Sequence, residues 1–169
     1  MHRGRREALV WALLFLSASL PDILAQVPVI VPENELPRVV PAGFYYEGQV
    51  APTQMRNAAA VRVRERKHVI VTLVDNSGYA TEIRDKIEGF WATDVPLRIG
   101  GRNLTVGVYP FGVTKDGFLN VFDLAGSLRF SVKALRDESL PNPRPLTLVK
   151  TADGIRFYRG RYYTMLGFR

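Results

Sequence analysis

The chain has 169 residues, no cysteine, two histidines, and 23 Lys and Arg against 16 Asp and Glu, for a formal net charge of +7. The lack of thiols excludes disulfides, thiolate catalysis and a lipid-modified cysteine. The basic balance favours anionic partners; it bears on association, not on fold.

The first segment, "MHRGRREALVWALLFLSASLPDILAQ", places Arg3, Arg5 and Arg6 before an apolar run from Ala8 to Leu20. That run is shorter than the roughly 20 residues a helix needs to span a bilayer. A basic start, a short apolar stretch and a small residue at Ala25 read as a secretory signal peptide over residues 1–25. Its removal would leave 144 residues with a net charge of +6, enough for one domain with a real core. The expected location is secreted or periplasmic, with no transmembrane segment in the mature chain.

Residues 26–42 carry Pro28, Pro32, Pro37 and Pro41. Each proline fixes φ and removes a donor, so this reads as an extended Pro-rich arm and neither a helix nor a central strand. The domain proper is expected over residues 43–169. "TQMRNAAA", 53–60, contains helix formers but little apolar face. "AVRVR" then alternates, with Arg62, Arg64 and Arg66 sharing one parity. "HVIVTLV", 68–74, is a run of β-branched residues expected to be buried on both faces. Asp75-Asn76-Ser77-Gly78 reads as a turn. "YATEIRDKIEGF", 79–90, suggests one or two helical turns passing into a strand near Lys86, with Ile83 and Ile87 four apart.

Gly100-Gly101, Asp116-Gly117, Asp153-Gly154 and Arg159-Gly160 punctuate the rest as turns. "SLRFSVKA" alternates Leu128, Phe130, Val132 and Ala134 against Arg129, Ser131 and Lys133. "PNPRP", 141–145, reads as a crossing loop, and "LTLVK", "IRFYR" and "RYYTMLGF" as closing strands. The expected fold is all-β: a single antiparallel β-sandwich or small β-barrel with at most one short helix.

Chemistry is sparse. His68 is the sole histidine after residue 25, which removes His-cluster metal sites and restricts any Ser–His–Asp arrangement. Its position after Glu65, Arg66 and Lys67 suits an edge strand near water. Asp85 and Glu88, or Asp75, offer a carboxylate pair of the kind that hydrolyses glycosides. Gly100-Gly101 is not followed by a helix and so lacks the context of a phosphate loop. Asn103-Leu104-Thr105 matches a glycosylation acceptor pattern. No metal, cofactor or catalytic residue is expected.

Gly89-Phe90-Trp91 resembles the G-x-W pattern in the first strand of lipocalins and avidin-like barrels. That resemblance implies a calycin-like carrier in which Trp91 plugs one end of a barrel holding small apolar ligands.

Positive charge is segregated. Residues 144–169 carry a net +5 and residues 62–67 a net +3, leaving the rest of the mature chain acidic. Arg62, Arg64 and Arg66 with Arg156, Tyr158 and Arg161 are the candidate ligand-binding residues, expected to form one solvent-facing basic and aromatic surface. The function expected is an exported, soluble, non-enzymatic binding or envelope-associated module. Its partner would be an anionic envelope polymer, a lipid head group or a polysaccharide, ahead of nucleic acid. A polysaccharide hydrolase using a carboxylate pair and a calycin-like carrier are the alternatives.

Overall fold

The computed structural model describes residues 27–168. The expected signal peptide lies outside the described residues. In chain order the elements begin with β1 (Val29–Ile30), α1 (Leu36–Val39), β2 (Gly43–Tyr46), β3 (Gln49–Arg64), β4 (Lys67–Val74), α2 (Thr81–Arg84) and β5 (Gly89–Thr93). They continue with β6 (Leu97–Ile99), β7 (Arg102–Leu104), β8 (Gly107–Val113), β9 (Phe118–Phe122) and β10 (Leu128–Lys133). The last are β11 (Leu135–Arg136), β12 (Thr147–Thr151), β13 (Gly154–Arg159) and β14 (Tyr162–Phe168).

Among the described residues two antiparallel sheets form, and they do not close into a barrel. The first runs β1-β3-β4-β5-β8-β9-β10, with β2 added to the early part of β3. The second runs β12-β13-β14-β6-β7, with β11 added to β14. The chain passes between them at β5 to β6, at β7 to β8 and at β10 to β11, the last with only the buried Ala134 intervening.

The sheets share one core. Val61, Val63, Val69, Val71 and Leu73 from the first sheet meet Leu97, Ile99, Leu148, Ile155, Phe157 and Leu166 from the second. Trp91 is fully buried at its centre, with ring centroids 4.8 Å from Phe157 and 5.9 Å from Phe111. It is a core aromatic between two sheets, so the barrel-plug role that the G-x-W resemblance implies is not realised.

The other face of the first sheet is also covered, because β4 and β5 are apolar on both sides. Thr72 and Val74 alternate with Val71 and Leu73, yet all four are buried. The β2–β3 hairpin supplies part of the cover. Phe44 stacks on Phe90 at 4.9 Å, and Tyr46, Tyr79, Ile87 and Phe122 join them. The hairpin turns tightly at Glu47 and Gly48, both at positive φ (46° and 83°), the conformation that two-residue hairpin loops demand.

The N-terminal segment supplies the remaining cover. β1 pairs with β3, with Val29 opposite Arg62, and the Val31 amide donates to the Ala60 carbonyl at 2.8 Å. Val31, Leu36 and Val40 bury themselves against Ala60. One four-residue helical turn, α1, occurs where the prolines argued against any helix. Pro37 sits in its first turn, where no amide donor is needed, so the residue is tolerated there.

The helix formers of 53–60 are strand. Thr53 lies opposite Val74 but Ala58 lies opposite Thr72, so β3 carries three more residues than β4 across this interval. Residues 54–57, four against the single Leu73 of β4, bulge from the sheet. Gln54 Nε2 donates to the Val74 carbonyl at 2.9 Å, taking the place of the lost ladder bond. Packing on β4 overrides local propensity here. The helical turn expected within 79–90 forms as α2, followed by β5. In the turn before it, the Ser77 amide donates to Asp75 Oδ1 and Asn76 Nδ2 to the Ile87 carbonyl. On β10 the alternation fails at Leu128, which is 56% exposed because the register shifts between Leu128 and Phe130.

Close packing at the β4–β5 junction requires glycine at residue 89, where a Cβ would collide with the Thr72 carbonyl oxygen and press on the Phe111 ring. At the centre of the sheet, Val71→Asp is expected to cost about 3 kcal/mol or more, since the carboxylate would be buried without a partner. Thermal denaturation checks this; an unchanged melting temperature would contradict the packing described.

Candidate functional site

The candidate residues separate onto two sheets. Val61 and Val63 point into the shared core, so Arg62 and Arg64, the alternate residues of β3, point away from it on the first sheet. Ile155 and Phe157 point into the same core from β13, so Arg156 and Tyr158 point away from it on the second sheet. The expected single surface is therefore corrected: the two basic segments lie on opposite sides of one core. Strand parity turns Arg62, Arg64 and Arg156 away from the core but carries no information on which sheet each strand joins.

The first group forms the tip of the β3–β4 hairpin. Arg62, Arg64, Arg66 and Lys67 are all exposed. Arg66 does not extend the strand row, because it occupies the turn with a left-handed φ of 57°. That conformation is uncommon for a residue with a Cβ. Arg62 Nη1 stands 4.0 Å from Glu35 Oε2, an exposed pair of the kind worth little. His68 follows on β4, between β3 and β5, and so is not on an edge strand. Its amide donates to Asp94 Oδ2 at 3.0 Å.

The second group is largely committed to holding the fold. Tyr158, expected to face water, is only 3% exposed. Its hydroxyl donates to Asp137 Oδ2 at 2.8 Å, and its ring lies 5.3 Å from that of Tyr163. Arg161 Nη1 donates to the Leu140 carbonyl, pinning the loop after β11. Arg159, which had not been singled out, reaches across to the first sheet: Nε and Nη2 donate to Glu88 at 3.0 and 3.3 Å. The same guanidinium donates to the Pro145 carbonyl. Arg156 packs over the Tyr163 ring at 4.5 Å and is half-buried.

Three titrations are shifted here; that of Arg156 is raised, first by its hydrogen bond with Tyr158. Burial pushes the Tyr158 phenol up, and its bond to Asp137 adds to this. The hydrogen bond from the Ser139 hydroxyl, then that from Tyr158, hold the Asp137 carboxyl below its ordinary range.

The carboxylates proposed for hydrolysis are employed elsewhere. Glu88 is bridged by Arg159. Asp75 caps its own turn and is lowered by the Ser77 hydroxyl. Asp85 is exposed at the end of α2. None of the three lines the groove of about 660 Å³ that opens between the N-terminal segment, the β3 bulge and β12. Among the described residues, no group of three His, Cys, Asp or Glu side chains is placed to hold a metal, and no helix is long and apolar enough to cross a membrane.

No protein-family model, curated protein or solved structure matches this chain.

Tyr158→Ala is expected to cost about 3 kcal/mol, as removal of a buried aromatic does, and thermal melting would show it. Asp137 supplies a pH signature. A carboxyl lowered in the fold contributes stability above its unfolded value near 4, and that contribution disappears as the pH falls through the folded value. The melting-temperature gap between wild type and Asp137→Asn should therefore persist at neutral pH and close on acidification below about 4. A gap that stays constant to acid would contradict the assignment.

Proposed function

We propose that the chain is an exported, non-enzymatic module that binds a polyanion, an envelope polymer or polysaccharide, through the tip of the β3–β4 hairpin. The observation that carries this reading is the density of exposed cations there: Arg62, Arg64, Arg66 and Lys67 within six residues. They stand on strands anchored by the buried Val61, Val63 and Val69. A rigid hairpin holds the guanidinium groups apart without the entropy cost of ordering a loop. Arginine forks suit carboxylate, sulfate and phosphate oxygens alike, so this is a surface for a repeating anionic chain. The left-handed Arg66 supports it further, since the tip holds a long cation at a backbone position where glycine or asparagine would cost less. Arg156, Tyr158 and Arg161 have no part in this contact.

The test is retention on a sulfated polysaccharide across a salt gradient. Binding should weaken steeply with salt, because each neutralised charge releases counterions. The double variant Arg64→Glu with Arg66→Glu should lose about tenfold or more in affinity at low salt and show a shallower salt slope. Arg156→Glu should leave the slope unchanged. A wild-type protein that ignores the polymer at low salt would overturn the reading, as would an Arg156→Glu effect equal to that of the hairpin pair.

A further inference from the structure

The groove beside β12 is a separate feature. Its floor includes Ala59 and Leu148, both part of the shared core, and Arg56 and Arg144 stand on its rim. Along it the two sheets come together without joining. Among the described residues, β12 is hydrogen-bonded as a strand on one side only, to β13, and β1 on one side only, to β3. In the β12–β13 hairpin, Thr151 and Gly154 flank a two-residue turn. Antiparallel alternation then turns the Leu148 and Lys150 amides and carbonyls away from β13, toward the open edge.

The N-terminal segment indicates what chemistry suits this place. Glu33 lines the groove and its Oε1 sits 2.8 Å from Arg144 Nη1. Two residues on, Glu35 approaches Arg62. The turn at Glu33–Glu35 thus sets one carboxylate against Arg144, in the loop before β12, and another against Arg62 on β3. Glu33 and Arg144 are 80% and 65% exposed, so their pair is weak and exchangeable.

We propose that this groove binds an extended acidic peptide, added as a strand to the open edge of β12. Main-chain bonds to Leu148, in the groove, and to Lys150, on the strand edge just beyond it, supply the affinity common to such additions. Alternate carboxylates of the peptide meet Arg56 and Arg144, and its intervening apolar side chains rest on Ala59 and Leu148. Glu33 acts as a placeholder that the peptide displaces. The proposal does not rest on the polyanion reading, whose arginines lie at the hairpin tip.

The probe is a fluorescent synthetic peptide of about six residues, alternating valine and glutamate, matching an ordinary strand length. Fluorescence anisotropy with the full chain at low salt should show saturable binding. Arg56→Ala with Arg144→Ala should weaken it about tenfold, and Glu33→Ala should tighten it. These side chains are solvent-facing, so circular dichroism should be unchanged in every variant. The same peptide N-methylated at alternate amides, with the β12-facing donors removed, should not bind. Amide shifts in the complex should centre on Leu148 and Lys150. The proposal is overturned by any of four results: no binding by wild type, equal binding of the N-methylated peptide, no gain from Glu33→Ala, or shifts centred on residues 62–67.

Discussion

A strand that is apolar on both faces must be covered on both faces, and the architecture follows from meeting that demand for β4 and β5. One cover is the second sheet, which meets Val69, Val71, Leu73 and Trp91. The other is assembled from pieces: the β2–β3 hairpin over Phe90 and Val74, and the N-terminal segment over Ala60. Each square ångström of apolar surface removed from water is worth about 25 cal/mol, so covering a row of such side chains favours fixing these short pieces in place. The three-residue surplus in β3 belongs to the same solution. It lets one strand pair with β4 and then, beyond the bulge, take β2 as its partner.

The arginines divide along the same lines. Those near residues 62–67 are carried outward by strands whose other face is fixed in the core. Those of the C-terminal strands are drawn inward to tie parts of the fold together. Arg159 spans from the second sheet to Glu88 on the first, a half-buried bidentate pair. Arg161 holds the loop that brings Asp137 to Tyr158. Equal formal charge in the sequence thus becomes surface chemistry in one segment and internal fastening in the other.

Much of the β architecture was legible because it depends on local pattern. The run 68–74 reads as buried on both faces from its composition alone, and the glycine turns at Gly100-Gly101 and Gly160 adopt the positive φ that glycine favours. Three features were not legible. The assignment of each strand to a sheet is non-local, so the shared surface expected for Arg62 and Arg156 could not be tested from parity. The burial of Tyr158 depends on a loop twenty residues earlier in the chain. The strand character of 53–60 is imposed by β4, against the preference of its alanines. Proline spacing in 26–42 excluded a long helix but could not exclude one turn with Pro37 as its second residue.

The central claim is that the outer face of β4 is closed by the hairpin and the N-terminal segment, so that these pieces are part of the fold. Native-state amide hydrogen exchange tests it most directly. The account predicts that the Val31 amide, bonded to the Ala60 carbonyl, is strongly protected, as are the amides of β4. It also predicts that Thr53, bonded to the Ala42 carbonyl, is protected with the hairpin. Exchange of Val31 and Thr53 as fast as that of exposed turn residues, with β4 still protected, would contradict it.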